Sequence, residues 1–276
     1  MKRQVIDWRD IATIVASCRN DGLVATNFFP DEMRMSAWCR SGAFFEERCG
    51  DTQFFVRKQA GFCNLYFMSK SYDAIVTDLK MVLEVNGKER WIADLIGPDA
   101  VRQQLEKAFA SHGFSPLTTL QRMGRRTPAE YFSQQPGVER ANPEDATTIK
   151  SLLDWYFVAE EEQLPDIDEI QRWIAAGTLY LVRGVAGNDI LGFTIFDLTP
   201  AALYLRYWFV HPDSRGRGVG GRLLKSMFAA GCGTKRQYFW VKTDNENAIK
   251  RYQHYGFQFE PMKDVVMACN SALFIN

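Results

Sequence analysis

From Leu203 to Val210 the chain is almost wholly aromatic and aliphatic, interrupted only by Arg206. That density of aromatic and branched residues predicts a strand. His211-Pro212-Asp213 ends it, and a glycine- and arginine-rich stretch follows, Arg215-Gly216-Arg217-Gly218-Val219-Gly220-Gly221. Val219, Leu223, Leu224, Met227 and Phe228 then recur at helical spacing. The pattern reads strand, turn, loop, helix.

The same reading extends in both directions. Upstream, a strand is expected near Val138, then a helix from the cap Asn142 and first-turn Pro143 to about Tyr156. Glu160-Glu161-Glu162 forms an acidic loop, and a second helix, Asp166 to Ala176, closes at Gly177. Strands Leu179–Arg183 and Ile190–Asp197 are joined by a turn at Gly187-Asn188. Downstream come a strand at Gln237–Val241, a helix at Asn245–Tyr255 and a strand at Val265–Ala268. The first half predicts helices at Trp8–Cys18, Asp31–Arg40 and Asp99–His112. It also predicts strands at Gln53–Arg57, Cys63–Met68 and Ile75–Val85, the last followed by an Asn86-Gly87 turn. Residues 124–142, with two prolines, read as a linker.

Two echoes connect the halves. Pro30-Asp31, Trp38 and Gly42 repeat as Pro165-Asp166, Trp173 and Gly177, 135 residues later. Gly113-Phe114 closes one late helix and Gly256-Phe257 the other, 143 residues later. Echoes in one order at similar offsets point to a duplicated domain. The expected copies are residues 1–130 and residues 137–276.

Composition changes little in this picture. With 276 residues, 46% hydrophobic and 13% aromatic, the chain can bury two cores. Thirty-three basic residues balance 33 acidic ones, which argues against a nucleic-acid face. No apolar run is long enough to span a membrane, and the N-terminus lacks a signal-peptide core, so a cytoplasmic protein is expected. Six cysteines form no C-x-x-C pair, and His112, His211 and His254 lie far from any cysteine cluster. The expectation is free thiols and no metal site.

The glycine loop carries the chemistry. Glycines let the backbone approach a ligand, the following helix N-terminus is partly positive, and Arg215, Arg217 and Arg222 add charge. Together these suit a pyrophosphate. Gly216, Gly218 and Gly221 satisfy G-x-G-x-x-G, but in the dinucleotide fold the first glycine follows the strand almost directly, whereas five residues intervene here. Arg215 to Gly220 also satisfies Arg-x-x-Gly-x-Gly, which resembles the acyl-CoA signature of the GNAT N-acetyltransferase superfamily. The alternative is a glycine-rich turn with surface arginines.

The resemblance covers about residues 137–270, and only weakly the first half, which has no such loop. It implies an α/β mixed sheet of the GNAT fold, in two tandem copies, the first degenerate. It further implies an enzyme that moves an acetyl group from acetyl-CoA, as cosubstrate, to a primary amine on a small molecule or protein. A CoA-binding regulator without turnover is the rival reading. In the family the loop, here Arg215, Gly216, Arg217, Gly218, Val219, Gly220 and Gly221, holds the pyrophosphate, while backbone groups at Trp208, Phe209 and Val210 hold the pantetheine arm.

Asn245-x-x-Ala248-x3-Tyr252-x3-Gly256-Phe257 resembles the family's closing motif. It puts Tyr252 where a tyrosine protonates the leaving thiolate; the other reading is a packed aromatic. Phe109, its echo, has no proton to give. Asn247 is preferred over Asn245 as a ligand contact, against plain helix capping for both. No base can be assigned: the strand before the loop lacks an acid, leaving Asp197 and the Glu160–Glu162 loop as candidates.

Overall fold

A computed structural model describes residues 2–85, 89–128, 132–185 and 189–270. The turns expected at Asn86-Gly87 and Gly187-Asn188 lie outside the described residues. No helix among the described residues is long and apolar enough to cross a membrane. The chain divides into two compact units, residues 1–120 with 261–276, and residues 121–260. The division differs from the contiguous halves expected of the sequence, because the last strand, from Pro261 on, belongs to the first unit.

The first unit contains β1 (Arg3–Gln4), α1 (Trp8–Asn20), β2 (Ala25–Thr26), α2 (Glu32–Arg40), β3 (Phe44–Cys49), β4 (Thr52–Lys58) and β5 (Cys63–Ser69). Then come α3 (Tyr72–Val85), β6 (Arg90–Gly97), α4 (Asp99–Ala110) and the start of β7 (Ser115–Arg126). The strand expected at Ile75–Val85 is the helix α3. Ile75, Leu79, Val82 and Leu83, all buried, repeat at helical and not alternating spacing, so burial of that stripe overrides the local β-propensity. Its sheet runs β1-β3-β4-β5-β6 and finishes with β13 (Gln258–Asn270). The pairing of β13 with β6 extends from Lys263↔Gly97 to Asn270↔Arg90, an antiparallel ladder whose length outweighs sequence proximity.

The second unit contains β8 (Glu139–Arg140), α5 (Ala146–Tyr156), α6 (Ala159–Glu162), α7 (Ile167–Ala175), β9 (Leu179–Arg183) and β10 (Ile190–Leu198). β11 (Ala202–Val210), α8 (Val219–Ala230), β12 (Arg236–Lys242) and α9 (Glu246–His254) complete it. Its strands are ordered β12-β11-β10-β9-β8, antiparallel except for β11 beside β12.

The echoed residues have matching local roles. Asp31 and Asp166 cap α2 and α7 by accepting from the N–H groups of Arg34 and Glu169, both at 2.8 Å. Gly42 and Gly177 follow those helices at φ +70° and +67°, where a side chain would be strained. Phe114 and Phe257 donate their N–H groups to the Phe109 and Tyr252 carbonyls. Phe109 and Tyr252 are thus equivalent positions in the two copies.

A bulge decides how the second unit is packed. Ile195 faces Tyr207 across the ladder and Phe196 faces Leu205, leaving Arg206 as an extra residue on β11. Leu203 and Leu205 therefore join the core with Leu223 and Leu224 of α8, whereas Tyr207 and Phe209 join the core with Ile149 of α5 and Ile170 of α7. Strict alternation would have put all four on one face.

Candidate active site

The parallel register of β11 and β12 runs only from Ala202↔Arg236 to Leu205↔Phe239, while β11 stays registered with β10 as far as Val210↔Gly192. Past the bulge, the β12-facing edge of β11 has no registered partner among the described residues. The His211 N–H goes to the Leu191 carbonyl on the β10 side. By alternation, the backbone groups of Phe209 also face β10, and those of Trp208 and Val210 face the opening. Phe209 is fully buried, so among the three expected backbone contacts it is Trp208 and Val210 that line the cleft.

The glycine loop closes one end. Gly216 and Gly218 both have φ +77°, and a Cβ built on either would meet nothing within 4 Å. Glycine is needed there for backbone conformation rather than for room. Gly218 caps α8 without a side-chain hydrogen bond, which leaves first-turn N–H groups of the helix for a ligand anion. Gly220 is a different case. A Cβ there would lie 2.8 Å from the Trp208 ring and 3.2 Å from Val210, so it lets the helix lie on the strand. Between loop, strand and α9 lies a cleft of about 630 Å³, walled by Tyr156, Trp208, Val210, the loop, Asn247 and Arg251. The Trp208 indole Nε1 is buried beside it with no hydrogen-bond partner among the described residues. An open strand edge, uncapped helix N–H groups and a lone indole donor suit an extended, amide-bearing anion such as an acyl-CoA. Substituting Gly218 by Val is expected to raise the Kd for CoA roughly tenfold, because left-handed strain of about 1–3 kcal/mol favours a relaxed loop that binding must draw back. Calorimetry checks this, and the open space at Gly218 leaves the fold in place.

The three arginines point in different directions. Arg215 donates to the Val210 carbonyl at 3.3 Å and to the Tyr156 hydroxyl at 2.8 Å. Arg222 is turned to the Pro136 carbonyl at 3.0 Å. Arg217 is exposed, has no partner among the described residues and, unlike Arg215, is not part of the cleft wall. Asn245 and Asn247 both stand on the cleft wall, and Asn245 spends its side chain capping α9, accepting from the Ala248 N–H at 3.2 Å.

Tyr252 is not a wall of this cleft. It is 6% exposed, with its ring 3.9 Å from that of Phe239 and 5.5 Å from that of Trp208. Its hydroxyl makes no hydrogen bond among the described residues. Burial, and then the nearby charge of Glu162, raise its pKa above the usual phenol value.

The two acid candidates differ. Asp197 is fully engaged, one oxygen taking the Trp173 indole N–H at 2.7 Å and the other Arg206 at 2.7 and 2.6 Å. The bulged arginine thus neutralises the acid nearest to it. Glu161 and Glu162 both meet the Lys242 ammonium at the end of β12, Glu162 at 3.1 Å. Tyr207 of β11 donates to the carbonyls of Glu162 and Gln163, each at 3.1 Å, which ties the acidic segment to the opening strand. Sequence reasoning missed Tyr156, Arg251 and Lys242. Only the arginine carried a signal, as a basic residue on the helix of the closing motif.

The first unit shows the same framework without the site. Its β5 and β6 are registered only at Cys63↔Trp91 and Asn64↔Ile92 before parting. The free edge of β5 is covered by the chain's own β2, paired at Ala25↔Ser69 and Thr26↔Met68. Asn27 fills the gap: its amide donates to the carbonyls of Leu65 and Asp94, both at 3.0 Å, and accepts from the Phe67 N–H at 2.7 Å. Only Lys70 and Ser71 connect β5 to α3, and the Ser71 hydroxyl caps that helix by accepting from the Ala74 N–H at 3.0 Å. Strand edge and helix N-terminus, both open in the second unit, are used internally here.

The model of the acetyltransferase (GNAT) family matches residues 146–257. A probable spermine N(1)-acetyltransferase of Bacillus subtilis subsp. natto is 30% identical over 83 residues, 26% of this chain and 55% of that protein. The chain therefore spans about half the length of the curated relatives it matches. Among solved structures, a tandem GNAT protein from the clavulanic acid biosynthesis pathway aligns over 98% of both chains with a TM-score of 0.62 at 12% identity. A GCN5-related N-acetyltransferase from Sphaerobacter thermophilus covers 98% of this chain, and is itself covered over 95%, with a TM-score of 0.59 at 14% identity. The fold of the chain is that of tandem GNAT proteins, and residues 146–257 are an acetyltransferase (GNAT) family domain.

Proposed function

We propose that the chain is an N-acetyltransferase, which moves the acetyl group of acetyl-CoA to a primary amine by direct attack. The observation that carries this reading is the opened β11 edge leading from the uncapped, glycine-rich start of α8. The phosphates would lie against Gly216–Gly221 and Arg217, with Asn247 further along the cleft. The pantetheine would bond to the backbone of Trp208 and Val210, replacing the Arg215 contact on the Val210 carbonyl. In the reaction the amine nitrogen bonds to the acetyl carbon, the carbon–sulfur bond breaks, and the thiolate takes a proton. Tyr252 is the proposed donor. Its raised pKa keeps it protonated at neutral pH but makes it a weaker acid, so it can act only on a thiolate in direct contact.

The acceptor is proposed to be a cationic small molecule. The similarity to a protein named for spermine acetylation supports this, as do the acidic residues at the opening. The first unit is proposed to bind no CoA, since its own residues 24–28 occupy the corresponding gap. Calorimetry with acetyl-CoA should accordingly give one equivalent per chain. Release of free CoA thiol on adding primary amines, spermine among them, tests turnover. Tight binding with no thiol release from any amine would favour the rival reading, a CoA-binding regulator.

A further inference from the structure

The strand before the glycine loop offers no acid, and Asp197 is held by Arg206 and Trp173. A protonated amine still has to lose its proton before it can attack. Three features converge where β11 and β12 part. The segment α6 lies across the opening, joined to β11 through Tyr207 and to the end of β12 through Lys242. The Glu162 carboxylate already holds a primary ammonium there, that of Lys242, at 3.1 Å. The Tyr252 hydroxyl, on a side chain more than nine-tenths buried and without a hydrogen-bond partner among the described residues, lies within the electrostatic reach of Glu162. The segment ends at Gln163, whose φ of +44° is the one left-handed non-glycine conformation among the described residues. Tyr207 holds its carbonyl.

We propose that Glu162 is the carboxylate that meets the acceptor's ammonium and takes its proton. Lys242 occupies that ammonium position until the acceptor arrives, and then moves aside toward Glu161. The proposal rests on the acetyltransferase reading above. One ammonium proton passes to the Glu162 carboxylate, the nitrogen lone pair bonds to the acetyl carbon, and the carbon–sulfur bond breaks with its electrons on sulfur; the thiolate takes the Tyr252 proton, and the second proton lost by the nitrogen restores that phenol. Glu162 later returns the proton to water. The groups facing Glu162 are Lys242 from β12, Glu161 from its own segment, Tyr207 from β11 and Tyr252 from α9. Burial raises the Glu162 pKa, which suits a base working nearer neutrality, and Lys242 opposes the rise.

The test measures thiol release from acetyl-CoA across pH 5–9, with spermine as the probe amine, in the full chain and two variants. Glu162→Gln is expected to lower kcat/KM about 10²-fold while holding the acetyl-CoA Kd within about twofold. Lys242→Met removes a cation that favours ionised Glu162, so the acid limb of kcat/KM should move to higher pH. Glu162→Gln with unchanged kcat/KM and an unchanged acid limb would overturn the assignment. Should that variant fail to bind acetyl-CoA, the limb of Lys242→Met decides: a limb that stays in place also overturns it. No thiol release by the unmodified chain with any primary amine would instead remove the acetyltransferase reading itself.

Discussion

Tyr252→Phe is expected to keep acetyl-CoA affinity and lower kcat by about 10²- to 10³-fold, the range for loss of a positioned proton donor. The substitution is close to isosteric. The ring sits among Phe239, Trp208 and Phe257 and contributes to the core by its faces and edges, all of which phenylalanine retains. The hydroxyl has no hydrogen-bond partner among the described residues, so no internal bond is lost with it. Removing it should leave stability within about 0.5 kcal/mol, because no buried partner is orphaned. A phenylalanine stands at the equivalent position of the first unit, Phe109, fully buried and in contact with Phe67 and Phe114. The framework thus accepts either residue, and packing alone does not call for the oxygen. Single-turnover rates with calorimetric Kd values separate the two roles. An unchanged kcat would mean that Tyr252 is a core residue and that the thiolate takes its proton from water.

Asn27→Ala is expected to destabilise the first unit by roughly 3 kcal/mol, since it strands two carbonyls and one N–H in a buried place. Asn27 is 4% exposed, so water cannot readily replace its amide. The loss corresponds to a fall of roughly 10 °C in that unit's unfolding midpoint. Scanning calorimetry reads this directly. The acetyl-CoA Kd should stay the same, because none of the cleft residues belongs to the first unit. A change below about 0.5 kcal/mol would show that the gap between β5 and β6 does not depend on its internal filling.

Much of the site was legible in the sequence because it is local. Gly216 and Gly218 are written into the loop by the backbone conformation they must take, and Val219, Leu223 and Leu224 by the face that α8 buries. Asp31 and Asp166 declare two helix starts, and Gly42, Gly113, Gly177 and Gly256 declare four helix ends. The misread stretch Ile75–Val85 is also local. There the residue types favoured a strand, while the spacing of Ile75, Leu79 and Leu83 already fitted a helix.

The sequence by itself determined most elements of the second unit, several helix caps, the phosphate-type loop and the duplicated order, since each depends on residues a few positions apart. Only the tertiary structure decided that Arg206 bulges and turns β11 over, because a bulge is defined by the partner strand. It also decided that Lys263–Asn270 completes the sheet of the first unit, that Asn27 fills that unit's gap, and that Glu162 meets Lys242. Those contacts join residues from 38 to 180 positions apart. Their partners are chosen by which edges, charges and buried amides remain unsatisfied once the local pieces have formed.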